Sequence, residues 1–268
     1  MADGFDPFAA AGLLQCLRKQ GHFEEALEFC TDIFSGHELN DWCRNEAIWT
    51  LIQRKLEKLG ESATVDEYVG VAESILALDP VDSAPKWRIV RQILKAAKSG
   101  GKWDIVAQWV SRVDPEALSP EPMKDDSGRE GWSDQAVWHN YHIRSLVETG
   151  DKEHAISLAA AAAERFPRQR TFFERLHALA TLRLSRLSEA ESIYARLCKS
   201  ARPEWWILHE YAQVLRELNR PKEALSVMCK AALSHKKLEM LVSLISDIGF
   251  LCHELTMEQE ARNHLIFC

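Results

Sequence analysis

The stretch Pro203–Leu233 (PEWWILHEYAQVLRELNRPKEALSVMCKAAL) constrains the fold most, because the chain repeats its pattern. Leu208, Tyr211, Ala212 and Leu215 recur at helical spacing, and Ala224, Val227, Met228 and Ala231 form a second such stripe. Pro203 is expected at the first helical position, where its missing N–H costs nothing. Asn219 is placed at a left-handed cap that ends the first helix, and Pro221 starts the second. The pattern predicts two antiparallel helices, with Ala224 and Ala231 where the backbones approach closely. Residues equivalent to Ala224 along the chain are Ala26, Tyr68, Val106, Ala155, Ala190 and Ala261. In chain order the separations are 42, 38, 49, 35, 34 and 37 residues, so seven helical hairpins account for the sequence. A hairpin that cannot bury its apolar face alone must stack on the next one.

Composition supports such an array. Apolar residues make up 46% of the 268 and charged residues 27%, enough for a core and for a water-facing surface. The net charge of −7 argues against a chain that binds nucleic acid or membranes with its whole surface. Seven cysteines, an odd number with no CxxC pair, sit mostly in apolar helical contexts. They predict reduced, buried thiols and a cytoplasmic location. The N-terminus MADGFDPFAAAGLL carries acids where a signal peptide has a basic region. No window approaches the ~18 uncharged apolar residues of a membrane span.

A helix–turn–helix unit repeating near 34 residues resembles the tetratricopeptide repeat family. The residues that carry the likeness are Gly21, Phe23, Glu25 and Ala26 in the first unit, Gly101 and Trp103 in the third, and Gly150, Ala155 and Pro167 in the fourth. The fifth supplies Ala178, Leu187, Glu189, Ala190 and Leu197, the sixth Ala212, Glu223, Ala224 and Ala231, and the seventh Gly249, Glu260 and Ala261. The second keeps only Gly60 and a terminal LDP at Leu78–Pro80. The resemblance implies an all-α fold, a right-handed superhelical α-solenoid of about seven antiparallel helix pairs.

Two departures shape the expected organisation. The insertion 114–133 (DPEALSPEPMKDDSGREGWS) holds three prolines and two glycines, and reads as either an ordered crossing loop or a hinge. It separates irregular repeats in 1–113 from regular ones in 134–268. The last helix stops on Leu265, Ile266, Phe267 and Cys268 without the polar outer face of a terminal repeat. The array is therefore expected to continue or be capped beyond 268, or to pack its C-terminal end on a partner.

Catalytic groupings are thin. His139 and His142 lie three apart without a third ligand, and the adjacent side chains of Cys252, His253 and Glu254 diverge by about 100° on a helix. HEYA at His209 and HELT at His253 lack the second histidine of HExxH. No phosphate-cradling glycine loop and no GxSxG elbow occurs. A non-enzyme without cofactor or metal is expected.

Charge is more informative. Arg88, Arg91, Lys95 and Lys98 are spaced 3, 4 and 3 apart on one helical face, and no acid occurs between Asp82 and Asp104. The resemblance implies that this face lines a concave groove, with Asn140 and Arg144 in the fourth unit, Arg175 in the fifth, and Trp206, His209 and Arg216 in the sixth. A concave surface that concentrates one sign of charge attracts anionic partners. The leading expectation is a scaffold or adaptor that binds an acidic or extended polypeptide. Some tetratricopeptide domains clamp a carboxylate with Lys, Asn and Arg from adjacent units, and Arg91, Lys95, Asn140 and Arg144 offer similar chemistry at loosely comparable positions. The alternatives are a nucleic-acid-linked regulator, with phosphates on Arg and Lys and bases on Trp206 and Phe172, and a non-catalytic subunit packed on an enzyme. The remaining tryptophans, Trp132 among them, are expected in helix packing.

Overall fold

The structure, a computed structural model, describes all residues except 1–3, 61, 126, 201–202 and 267–268, and omits the side chain at position 35. Arg202, Phe267 and Cys268 thus lie outside the described residues. The others form fourteen α-helices, grouped by the sequence frame as α1/α2 (Pro7–Gln20, Phe23–Gly36), α3/α4 (Asp41–Leu51, Val65–Leu76), α5/α6 (Ser83–Ser99, Trp103–Val110), α7/α8 (Asp134–Thr149, Lys152–Arg165), α9/α10 (Arg170–Arg183, Leu187–Leu197), α11/α12 (Trp205–Glu217, Pro221–Ser234) and α13/α14 (Val242–Glu254, Glu258–Leu265). The chain divides into two compact units, 1–145 and 146–268, with the division inside α7.

One turn recurs between the helices of a pair. Gly21, Gly101, Ser185, Asn219 and Thr256 all have positive φ, from 57° to 82°. In each case the next residue donates its N–H five residues back: His22 to Leu17, Lys102 to Ala97, Arg186 to Thr181, Arg220 to Leu215 and Met257 to Cys252, at 2.8 to 3.2 Å. This is the Schellman closure, which satisfies the last carbonyls of the first helix. Five residues after each left-handed position comes Ala26, Val106, Ala190, Ala224 or Ala261, all at most 3% exposed. The small residue lets the second helix lie close against the first. Asn219 thus sits in the cap its sequence implies, whereas Pro203 lies ahead of α11, which starts at Trp205.

Two connections break the pattern. In the second pair α3 runs into a π-helical turn, Ile52–Leu56, and Thr64 opens α4 with a capping box to Glu67. The Tyr68 hydroxyl donates to the Leu59 carbonyl at 2.9 Å, where the other pairs have a small or branched residue. In the fourth pair Asp151 caps α8 by accepting from the His154 N–H.

The insertion 114–133 lies within the first unit and contains a 3-10 turn (Pro115–Ala117) and an antiparallel hairpin of β1 (Pro122–Lys124) and β2 (Glu130–Ser133), with Lys124 opposite Glu130. Asp125 ties the hairpin end by accepting from the Ser127 and Arg129 N–H groups at 2.9 Å. Leu118 is buried, Gln135 donates to its carbonyl, and Ser83 donates to the Ala117 carbonyl, so the insertion is fastened to α5 and α7.

The first unit's core gathers Ile48, Ile52, Ile75, Trp87, Ile93, Leu94 and Trp109, and a smaller cluster joins α1, α2 and α3 through Leu14, Cys30 and Ile33. In the second unit, Tyr194 and Ile207 pack α10 on α11, while Met228, Leu244 and Leu251 join α12 and α13. On α8, Ala155, Ala159, Ala162 and Ala163 are buried. The six described cysteines are free thiols, of which Cys30, Cys43 and Cys252 are buried. Burial pushes the Cys30 and Cys198 thiols up to about 11. No described helix is long and apolar enough to cross a membrane.

Candidate functional site

Helix α5 positions the basic face. Burying Trp87, Val90, Leu94 and Ala97 in the core turns Arg88, Arg91, Lys95 and Lys98 outward. These four cations, with Gln92, form one wall of an open cleft of about 500 Å³. Trp132 from β2 and Val137, Asn140 and Tyr141 from α7 complete it, and no carboxylate is among its lining residues.

The cations differ in what surrounds them. Arg88 pairs with Glu57. Arg91 lies 3.5 Å from Asp134 and donates to the Met123 sulfur at 3.4 Å, which seats the hairpin on α5. The Lys98 ammonium is 5.9 Å from the Tyr141 ring centre. Burial pushes the Tyr141 phenol up against the pull of Arg91, so it stays neutral at physiological pH. Lys95 is exposed and has no ion-pair partner among the described residues. Arg144 stands apart from the lining, its guanidinium 5.3 Å over the Trp103 ring.

In the second unit the corresponding cations meet acids. Arg175 donates to Glu210 at 2.8 Å in a two-point pair, and its guanidinium lies 4.9 Å from the Trp206 ring centre. Burial opposes that charge, but Glu210, backed by Tyr194 and Glu148, outweighs it and raises the Arg175 pKa. Trp206 stacks on Phe172 at 5.6 Å. His209, almost buried, lies 2.7 Å from Asp247, and Arg216 donates to Glu254 at 2.7 Å. Arg183 is 3.8 Å from Glu148. Each pair joins the first helices of successive repeats, its partners 35 or 38 residues apart in sequence. A wider cleft of about 910 Å³ in this unit is lined by Arg183 and Arg216 but also by Glu217, Asp247 and Glu254, over Leu179, Leu182, Leu187 and Leu255. Its carboxylates outnumber its cations by three to two.

The structure therefore brings Arg88, Arg91, Lys95, Lys98 and Asn140 to one cleft, and engages Arg175, Trp206, His209 and Arg216 with neighbouring side chains. Trp132 and Tyr141 were missed as cleft residues. Trp132 lies in an insertion whose strand pairing has no periodic signal, while Tyr141 adjoins Asn140 on α7. His139 and His142 pack against Trp138, with ring centres 5.1 and 4.7 Å away. Among the described residues no cluster of His, Cys, Asp or Glu is arranged to hold a metal.

No family model and no curated protein matches this chain. Solved structures match over nearly its full length. The Rap conjugation gene regulator of the plasmid pLS20, in complex with the Phr* peptide, covers 96% of this chain and 73% of its own at TM-score 0.57 and 13% identity. The fold is a tetratricopeptide-like helical repeat. A Rap protein complexed with the competence and sporulation factor agrees with this tetratricopeptide-like architecture at TM-score 0.56 and 10% identity, covering 96% of this chain and 74% of that one. The APC/C hetero-tetramer Cut9–Hcn1 covers 94% of this chain and 44% of that one at TM-score 0.51 and 13% identity. At these identities the likeness is one of fold.

Proposed function

We propose that this protein is a non-catalytic interaction scaffold whose first unit holds an acidic, extended polypeptide segment against α5. One observation carries the reading: the 500 Å³ cleft is lined by four cations and no carboxylate. Arg88 and Arg91 are themselves paired with Glu57 and Asp134, as Arg175 and Arg216 of the second unit are with Glu210 and Glu254, whereas Lys95 has no ion-pair partner among the described residues. Cations gathered on one wall raise the local concentration of an anionic segment and speed its encounter. One solved structure with this fold, the Rap conjugation gene regulator, is in complex with the Phr* peptide, which fits a repeat array used for polypeptide capture.

The same cations attract phosphates, so the deciding experiment has two arms. Fluorescence anisotropy is followed for an acidic peptide and for a single-stranded RNA at ~50 and ~200 mM salt, where a multi-phosphate ligand weakens steeply. The expected result is peptide binding that survives at the higher salt and falls roughly tenfold or more in Lys95→Glu. Lys95 is the residue to reverse, because its replacement breaks no ion pair, whereas reversing Arg91 sets a new carboxylate beside Asp134. RNA binding without peptide binding overturns the polypeptide reading, and unchanged peptide binding in Lys95→Glu removes this cleft as its site.

A further inference from the structure

We infer that the cleft reads an alternating sequence: an extended segment with carboxylates at every second position facing α5, and large apolar side chains between them facing Trp132, Val137 and Tyr141. This rests on the acidic-polypeptide reading above and specifies the segment. All four cations come from one helix, and the opposite wall, from β2 and α7, is apolar apart from Asn140. A helix rises 1.5 Å per residue, so Arg91 and Lys95 are offset along α5 by about 6 Å. An extended chain advances about 3.3 Å per residue with successive side chains on opposite sides, so its same-side positions recur about every 6.6 Å. The two periods match. A run of consecutive acids would send every other carboxylate towards the Trp132 and Val137 surface, which is largely apolar and leaves it further from the α5 cations than the carboxylates facing them.

The apolar wall owes part of its surface to the insertion rather than to the repeats. Trp132 stands on β2, the hairpin is seated on α5 through Arg91 and Met123, and Ser83 holds the Ala117 carbonyl at 3.2 Å. The insertion is thus the element that adds apolar selectivity to a cleft the repeats make basic. No end group takes part in this scheme, so the segment is recognised within a chain.

The test uses two labelled peptides of identical composition, acetylated and amidated so that neither has a terminal carboxylate. One alternates Asp with Leu, and the other places the Asp and Leu residues in separate blocks. Anisotropy on the full chain is expected to show the alternating peptide binding roughly tenfold tighter, the gain from burying one or more apolar side chains. Trp132→Ala is expected to erase most of that preference while leaving the block peptide within about twofold, with circular dichroism confirming unchanged helicity. Equal affinities for the two peptides on the unmodified chain overturn the inference, whatever the variant does. If Lys95→Glu still weakens both peptides in that case, the basic cleft itself stands. If Lys95→Glu weakens neither, the acidic-polypeptide reading fails, and this inference with it.

Discussion

Arg175 donates to Glu210 at 2.8 Å and its guanidinium lies 4.9 Å from the Trp206 ring centre, so its charge is engaged within the fold. Both partners are largely shielded, with side chains 22% and 16% exposed. Removing one member leaves the other charge desolvated, so Glu210→Ala is expected to cost about 3 kcal/mol in urea unfolding. Arg216→Ala breaks a wetter pair with Glu254 and is expected to cost under about 1 kcal/mol. His177 supplies a pH dependence. Burial, helped by Arg196, holds its imidazole below the usual histidine pKa against Glu189 and Glu174. The unfolded chain then binds that proton more readily. The contribution of neutral His177 is full above about pH 6.5 and is lost as pH falls through and below that value. Thermal unfolding is expected to show this loss between about pH 7 and 5, and His177→Gln to reduce it. Burial also lifts the Cys30 and Cys198 thiols to about 11, so brief alkylation near neutral pH is expected to spare them in the native chain and reach both in urea, read by peptide mass spectrometry.

At the scale of single elements, the Schellman turn explains what was legible and what was not. Gly21, Gly101 and Asn219 announce a left-handed residue because their types accept positive φ. Ser185 and Thr256 occupy the same place at φ 60° and 62°, although nothing in their own chemistry favours it. Their turns are set by the helices on either side, whose packing holds the backbone there against local preference. Thr256→Gly is therefore expected to stabilise the second unit by about 1 kcal/mol, since a β-branched residue is strained in this region. Asn219→Gly is expected to change stability by no more than a few tenths of a kcal/mol, within the tolerance of that cap. Equal effects of the two substitutions in denaturant unfolding would contradict this account of the turns. The second pair was the hardest to read, because a π-turn and a capping box replace the turn used elsewhere, and Tyr68 replaces the small residue.

Across the whole chain, the repeat was legible because burial writes it into the sequence at regular intervals: Ala26, Ala155, Ala190, Ala224 and Ala261 are buried where the pattern places them. The candidate site was only half legible, for a reason that also lies in the repeat. A basic residue is visible in its own helix, but in the second unit the acid that answers it stands on the next first helix, more than thirty residues away, as Glu210 does for Arg175 and Glu254 for Arg216. A local count of charge therefore registers the cations and misses their partners. Trp132 was hidden for a second reason, since its insertion follows no periodic pattern and is placed by contacts with α5 and α7. The central claim is that Lys95 is available to a ligand while Arg175 and Arg216 of the second unit are engaged within the fold. Calorimetric titration of an acidic peptide into Lys95→Ala and Arg216→Ala, beside the unmodified chain, tests it directly. The account predicts that Lys95→Ala weakens binding roughly fivefold to tenfold and Arg216→Ala leaves it within about twofold. Equal weakening by both, or weakening by Arg216→Ala alone, would contradict it.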